Sequence, residues 1–149
     1  MALTALAPLT ASEVKQLAAA WYQKLDVHAP LAEVLPMLAD DGLEMRFPEA
    51  TLRGQSAFEG WYEGVIRIFF DEVHTLKQVD VELTADGAQA QVVVHWEASV
   101  WKSPAAKSER ISLDAYQTWF VQRSPSSEQP VIVTYIVDRL VYDNDSARL

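Results

Sequence analysis

The second half of the chain carries four long segments with the alternation of a β-strand, each joined to the next by residues typical of turns. The segments cover roughly residues 73–83, 88–102, 109–122 and 131–142. The connections contain Asp86-Gly87, then residues 103–106, then a stretch rich in serine and proline at 123–130. Connections of this composition join neighbouring antiparallel strands. The second half is therefore predicted to form a four-stranded antiparallel meander.

The first half has helical spacing instead. Thr10–Glu13 has the form of a capping box, in which a hydroxyl and a carboxylate three residues later satisfy free backbone amides at a helix start. A second, short helix is predicted after Pro30, and Pro36 should kink it or end it early. A short strand over Leu43–Phe47 follows, and a third helix is predicted after Gly54. Helices followed by a meander predict an α+β domain with helices packed on one face of the sheet.

Length, charge and cysteine content narrow the class of protein. A chain of 149 residues with half of them hydrophobic is predicted to form one domain, residues 1–149. The net charge of −9 disfavours binding to nucleic acid and to anionic membranes. The absence of cysteine fits a cytoplasmic protein, and no apolar run is long enough to cross a bilayer. Residues 1–10 lack a basic region and contain Pro8, so we expect a short ordered arm there and no signal peptide.

The stretch Glu72–Leu83 breaks its alternation in the middle. His74 and Leu76 share one parity, whereas Val79 and the apolar residues after it share the other. One extra residue near Lys77-Gln78 restores a single apolar face, so a β-bulge is predicted there. His74 then faces the concave side of the sheet, toward the helices.

The pairing of the first two long strands follows from the turn between them. If Asp86-Gly87 forms a two-residue turn, Leu83 pairs with Ala90. In this register His95 has the opposite parity from Trp96. The pattern therefore places His95 on the convex face of the sheet.

The order of elements resembles the nuclear transport factor 2-like superfamily over roughly residues 12–142. The local markers are Leu38–Gly42, Met45–Pro48 and Leu52–Ser56, followed by a histidine that opens the next strand. The resemblance implies a cone-shaped half-barrel, with three N-terminal helices packed on a strongly bent antiparallel β-sheet around a deep apolar cavity. It also implies a homodimer that forms through the outer face of the sheet. Members include ketosteroid isomerase, scytalone dehydratase, limonene-epoxide hydrolase and SnoaL-like polyketide cyclases, as well as proteins without catalysis.

Five residues are candidates for catalysis. An imidazole titrates near neutrality, so His74 is the candidate acid or base, assisted by Tyr22, Asp26 or Asp138. Asp138 interrupts an apolar strand and would act as a cavity acid if it pointed inward. The resemblance to scytalone dehydratase, which has pocket histidines on these two successive strands, adds His95 to the candidates.

The predicted cavity is lined by aromatic and apolar side chains: Trp21, Met45, Phe47, Trp61, Tyr62, Phe69 and Trp96. Phe47 stands where ketosteroid isomerase has its catalytic aspartate, so that mechanism is not predicted. No metal-ligand spacing, phosphate loop or nucleotide motif is present in the sequence, and no cofactor is predicted.

Two classes of function remain open. The first is a protein that binds a small apolar, cyclic or aromatic molecule, with cofactor-free lyase, isomerase or hydrolase chemistry at His74. The second is a non-catalytic dimeric binding or interaction module, or an accessory subunit of an oxygenase. An open cavity with His74 beside a second titratable group would favour the first.

Overall fold

The computed structural model describes residues 6–149. The helices in this part of the chain are α1 (Ala11–Asp26), α2 (Leu31–Val34) and α3 (Gln55–Ile68). The strands are β1 (Glu44–Arg46), β2 (Thr51–Arg53), β3 (Phe69–Leu83), β4 (Ala88–Val100), β5 (Glu109–Arg123) and β6 (Pro130–Tyr142). This is the predicted α+β order, with one additional short strand, β2. Within residues 6–149 no helix is both long enough and apolar enough to cross a membrane.

Helix α1 begins at the predicted capping box. Thr10 Oγ1 accepts a hydrogen bond from the Glu13 backbone N at 3.1 Å, and Glu13 Oε1 accepts from the Thr10 backbone N at 3.2 Å. Arg123 at the end of β5 donates to Glu13 Oε1 at 2.9 Å, and this hydrogen bond lowers the pKa of the Glu13 carboxyl. Arg123 also donates to the Pro8 carbonyl at 3.0 Å, which ties residues 6–10 to the sheet. Of the predicted arm, residues 6–10 are thus held against the sheet, and residues 1–5 lie outside the described part of the chain.

Helix α2 ends early, as the sequence predicts. After Val34 the chain continues as a 3₁₀ turn over Leu35–Met37, with Pro36 at its centre. Proline lacks the amide hydrogen that an α-helix would need at this position. Leu38 then forms a parallel bridge to Ile132, which directs the chain into β1 alongside β6.

The sheet has six strands in the order β2-β1-β6-β5-β4-β3. Strands β3 to β6 form the predicted antiparallel meander. Strand β1 pairs parallel to β6, so the complete sheet is mixed, and the prediction of an antiparallel sheet holds for the four long strands.

Strand β3 contains the predicted β-bulge. Leu76 pairs with Val94 and Gln78 pairs with Val93, which leaves Lys77 as the extra residue. A second irregularity lies between Phe70 and Val73, where Asp71 adopts a φ of +50°. Bulges of this kind bend a sheet and increase its twist.

The predicted register of β3 against β4 is wrong by two residues. Leu83 pairs with Ala88, because residues 84–87 form a four-residue connection in which the Thr84 N donates to the Gly87 carbonyl at 2.9 Å. The sequence predicts a glycine at position 87 for a tight turn, but the structure requires it because of space. A Cβ at this position would lie 2.2 Å from the Val121 carbonyl oxygen. An even shift leaves each side chain on its predicted face.

Helices α1 and α3 cover the inner face of the sheet. Trp21 of α1 is 1% exposed, and its ring lies 5.8 Å from Phe58 of α3 and 6.1 Å from Tyr135 of β6. The inward side chains of β5 alternate with outward ones and are buried: Ile111, Leu113, Ala115, Gln117, Trp119 and Val121. Gln117 is the polar member of this row.

Candidate functional site

A cavity of about 520 Å³ lies between the helices and the inner face of the sheet. Its walls are mostly apolar, and its lining residues come from α1, α3, β3 to β6 and the segment after β1. Five of the seven predicted cavity residues line it: Phe47, Trp61, Tyr62, Phe69 and Trp96. Cavities of this size and character bind small molecules.

Trp21 and Met45 do not line the cavity, so both predictions are wrong. Trp21 packs between the rings of Phe58 and Tyr135, which cover it. Met45 is 0% exposed at the centre of β1, where the neighbouring strands enclose it. Apolar periodicity identifies both as inward residues, but it does not distinguish a filled part of the core from a hollow one.

His74 lines the cavity, and Asp26 holds it from behind. Asp26 Oδ1 lies 2.6 Å from His74 Nδ1 and accepts the His74 backbone N–H at 2.9 Å. A carboxylate accepts hydrogen bonds, so Nδ1 carries a proton, and in the neutral form of the imidazole the lone pair is on Nε2. The imidazole is stacked on Tyr22 at a centroid distance of 4.9 Å and faces Trp96 at 6.2 Å. The structure therefore brings together three predicted groups: His74, Tyr22 and Asp26.

A buried hydrogen-bond chain begins at Tyr22. Its hydroxyl donates to Gln117 Oε1 at 2.9 Å and lies 3.3 Å from the Tyr135 hydroxyl. Trp119 Nε1 donates to the same Gln117 oxygen at 2.8 Å. Because an indole N–H only donates, this contact identifies the oxygen of the Gln117 amide and leaves its NH₂ as the donor end.

Burial keeps both tyrosine hydroxyls protonated. It raises the pKa of Tyr22 well above its ordinary value and the pKa of Tyr135 to about 12. Neither hydroxyl is a base at neutral pH. The Tyr22 hydroxyl donates its hydrogen bond to Gln117, and the Tyr22 ring is stacked on the imidazole of His74.

Gln117 and Glu72 line the cavity and were missed at the level of sequence. Gln117 could have been found as the polar residue in an otherwise apolar inward row of β5. Glu72 has the same parity as His74, two residues before it on β3. Trp96 Nε1 donates to Glu72 Oε1 at 3.0 Å, and His28 Nε2 contacts Oε2.

His95 lies on the outer face of the sheet, as its parity predicts, so it does not line the cavity with His74. His95 Nδ1 is 2.8 Å from Asp114 Oδ1, and Nε2 is 3.1 Å from Ser112 Oγ. The Ser112 hydroxyl also donates a hydrogen bond to Asp143 Oδ2. The cluster connects β4, β5 and the segment after β6.

Asp138 also lies away from the cavity, which makes its prediction as a cavity acid wrong. Tyr116 pairs with Arg139 and Gln117 with Val137, so Asp138 is the extra residue of a bulge in β6. Its side chain is exposed and accepts a hydrogen bond from Thr118 Oγ1 at 2.7 Å. The pattern of β6 does not reveal this bulge, because residues of both parities before Asp138 are mostly apolar, from Val131 to Val137.

The site thus combines an oriented imidazole, a carboxylate and neutral hydrogen-bond donors within an apolar enclosure. An imidazole with its Nδ1–H bound to a carboxylate is suited to take a proton at Nε2. Within residues 6–149 no group of three or more His, Asp or Glu side chains converges in a way that would bind a metal ion.

No protein-family model matches the chain, and neither does any curated protein. Solved structures do match it. A proposed aromatic ring hydroxylase from Novosphingobium aromaticivorans has a TM-score of 0.74 at 14% identity, over 93% of this chain and 96% of that one. A proposed scytalone dehydratase from the same organism has a TM-score of 0.63 at 14% identity, over 93% and 88% of the two chains.

A nuclear transport factor 2-like superfamily protein from Salmonella enterica serovar Typhimurium also matches. Its TM-score is 0.66 at 16% identity, over 93% of this chain and 92% of that one. At such identities the likeness concerns the backbone, and it extends over nearly the whole chain. The protein has the nuclear transport factor 2-like fold.

Proposed function

We propose that the cavity binds a small apolar, cyclic or aromatic molecule and that His74 transfers a proton on it without a cofactor. The observation that carries this proposal is the contact of Asp26 Oδ1 with two atoms of His74, Nδ1 at 2.6 Å and the backbone N at 2.9 Å. This contact lies at the wall of an apolar cavity. A histidine that served only to fill space would not need this arrangement, in which a carboxylate binds Nδ1 and leaves Nε2 free of that carboxylate.

The proton transfer follows from this geometry. Nε2 of His74 takes a proton from a carbon next to a carbonyl, the C–H electron pair forms a carbon–carbon double bond, and the carbonyl π electrons move to the oxygen to give an enolate. Asp26 stabilises the imidazolium that results. The Gln117 NH₂ group is the donor we assign to the enolate oxygen.

The imidazolium then returns the proton. Return to a different carbon gives an isomerisation. Departure of a hydroxyl group from the β-carbon, protonated as it leaves, gives a dehydration. The similarity of the backbone to a proposed scytalone dehydratase supports this reaction class.

A second candidate function is binding without catalysis, as in an accessory subunit of an oxygenase. A structural neighbour named as a proposed aromatic ring hydroxylase supports the link to oxygenases, and no more than that. Such a protein would need the cavity but not the Asp26–His74 pair. The two functions therefore differ in what His74 does once the ligand is bound.

The deciding experiment uses 2-tetralone, a neutral bicyclic ketone with exchangeable protons next to its carbonyl. Nuclear magnetic resonance in D₂O follows deuterium incorporation with wild-type protein, with His74→Ala and with His95→Ala. We expect the wild type to accelerate exchange, His74→Ala to lose on the order of 10²-fold or more of the acceleration, and His95→Ala to keep it. Exchange that is equally fast in wild type and His74→Ala would refute catalysis by His74, and binding without exchange would favour the second candidate.

A further inference from the structure

Glu72 is a carboxylate on the cavity wall that the proposed proton transfer does not use. Its side chain is 11% exposed, so it is largely withdrawn from bulk water. Trp96 Nε1 donates to its Oε1 at 3.0 Å, and His28 Nε2 contacts its Oε2. These two contacts hold the carboxylate in one position beside the cavity.

Two pairs, each of a histidine and a carboxylate, connect the end of α1 and the residues just after it to β3. In one pair the histidine lies on β3, and in the other the carboxylate does. Asp26 stands behind His74, so the first pair presents an imidazole to the cavity. His28 stands behind Glu72, so the second pair presents a carboxylate. One wall of the cavity therefore carries a base and, two residues away on the same strand, an acidic group.

The backbone on both sides of the second pair is strained. His28 has a φ of +49° and Asp71, the neighbour of Glu72, has a φ of +50°. Each left-handed residue other than glycine costs roughly 1–2 kcal/mol. Both residues keep this conformation where the chain brings His28 and Glu72 together.

The charges around the cavity are of one sign. Its lining includes the carboxylates of Glu49 and Glu72, contains no lysine or arginine, and has its imidazole already bound to Asp26. An anionic ligand would lose its hydration next to Glu72 and gain no cationic partner. A cationic group would gain a partner for each charge.

Aromatic rings surround the same wall. Trp96, which donates to Glu72, lies edge-to-face with Phe69 at a centroid distance of 5.1 Å. Trp61 is stacked on Phe47 at 4.1 Å and completes an aromatic wall of the cavity. Ring faces attract ammonium groups, and more strongly where water is excluded.

We propose that Glu72 determines ligand specificity and that the ligand is a small aromatic or alicyclic amine, bound with its protonated nitrogen at Glu72. His28 acts as a positioning residue for the carboxylate. This inference rests on the proposed function in one respect, that the cavity binds a small molecule. It does not require that His74 be catalytic.

The test is isothermal titration calorimetry with three probes that share one ring system: 1-naphthylmethylamine, 1-naphthalenemethanol and 1-naphthoate. The three titrations are made at the same pH, about 8, where a primary ammonium group on the probe is protonated. We expect the amine to bind about tenfold tighter than the alcohol, because a charge-assisted hydrogen bond in a buried site is worth at least this ratio. We expect 1-naphthoate to bind more weakly than either, because its carboxylate would lie next to the carboxylate of Glu72.

The variants are Glu72→Gln and, as a matched control, Glu49→Gln. Glu49 also lines the cavity and also accepts from a tryptophan, Trp61 Nε1 at 3.1 Å, but its side chain is exposed. We expect Glu72→Gln to reduce the preference for the amine over the alcohol to within about twofold, and Glu49→Gln to retain most of it. Binding of the alcohol by Glu72→Gln verifies that the cavity is intact.

Every outcome of these titrations either supports or overturns the assignment of Glu72 as the amine-binding group. Equal binding of amine and alcohol by the wild type, tight binding of 1-naphthoate, or an amine preference that survives in Glu72→Gln would overturn the inference, and the cavity would remain a small-molecule site in which Glu72 does not determine specificity. Failure of all three probes to bind the wild type would overturn both the inference and the proposed function. If Glu72→Gln does not fold, the ranking of the probes with the wild type decides.

Discussion

A single oxygen of Asp26 holds both the strand and the ring of His74: Oδ1 accepts the backbone N–H at 2.9 Å and the Nδ1–H at 2.6 Å. Asp26 is the last residue of α1, and His74 lies in β3 between its two irregularities. The contact that docks the end of the helix on the sheet therefore also orients the imidazole. Rigid elements hold a catalytic group more precisely than loops do.

The first prediction concerns this contact. Asp26→Ala removes the acceptor for Nδ1–H, so we expect His74 to populate the Nε2–H tautomer and deuterium exchange into 2-tetralone to slow by about 10²-fold. Nitrogen-15 chemical shifts of the imidazole measure the tautomer independently of activity. Asp138→Ala, an exposed aspartate away from the cavity, is the control. A His74 tautomer unchanged by Asp26→Ala would contradict the prediction.

The second prediction separates the two strand histidines. His95 bonds Asp114 and Ser112 on the outer face, so His95→Ala should lower the free energy of unfolding by about 1–2 kcal/mol. The same substitution should leave probe binding in the cavity within about twofold of wild type, since the His95 side chain lies on the opposite face of the sheet from the cavity. Urea denaturation and calorimetry measure the two effects. Loss of binding with unchanged stability would show that His95 belongs to the site.

The third prediction uses Gly64, a glycine of α3 that lines the cavity. A Cβ at Gly64 would meet no atom within 4 Å, and the backbone is not in the left-handed region. Gly64→Ala should therefore stabilise the protein by about 0.5–1 kcal/mol, because alanine loses less backbone entropy in a helix. Thermal and urea unfolding measure the change. A destabilised Gly64→Ala would mean that the space beside the helix is not free.

The larger substitution Gly64→Leu tests the cavity itself. Its side chain would extend into the space that a bicyclic ligand needs, so we expect the affinity for 1-naphthalenemethanol to fall by about tenfold or more. The fold is verified by circular dichroism. Unchanged affinity would place the ligand elsewhere on the protein.

The fourth prediction concerns alkaline pH. Burial raises the pKa of Tyr135 from 10.0 to about 12. The unfolded chain therefore releases this proton before the folded protein does, and stability that is fully present below about pH 10 is lost as the pH rises toward 12. One such tyrosine lowers the free energy of unfolding by about 1.4 kcal/mol per pH unit in this window.

Tyr135→Phe should make the alkaline slope shallower by about that amount. Urea denaturation at several pH values between about 9 and 11.5 measures the slope. The raised pKa of Tyr22 leaves a residual slope in the variant. A slope identical to that of wild type would contradict the assignment.

The fifth prediction is the homodimer. Val73, Phe120 and Val141 project from the outer face of the sheet with exposures of 43, 39 and 44%. We expect light scattering to give the mass of two chains for the wild type and of one chain for Phe120→Glu. Leu83→Glu, at an exposed apolar residue beside the first hairpin, is the control that should stay dimeric. A monomeric wild type would disprove the dimer.

Local patterns were sufficient for the helices and the four long strands of this fold, whereas the short strand β2 was not predicted. Periodicity, the capping box before α1, Pro36 and the turn residues predicted the helices and the four long strands to within a few residues. The parity break in β3 predicted both the bulge after Leu76 and the inward direction of His74. These features depend on neighbours close along the chain. The error of two residues in the predicted register of β3 against β4 left every side chain on its predicted face, because the shift is even.

Contacts between residues distant along the chain decided the rest. The parallel pairing of β1 with β6, the bulge that turns Asp138 outward and the filled space around Trp21 depend on how the elements meet. The site itself is of this kind, because its pairs join residues 26 and 28 to residues 74 and 72. A one-dimensional pattern records which face a side chain occupies, whereas the partner across that face, and any hollow left between them, is determined only by packing in three dimensions.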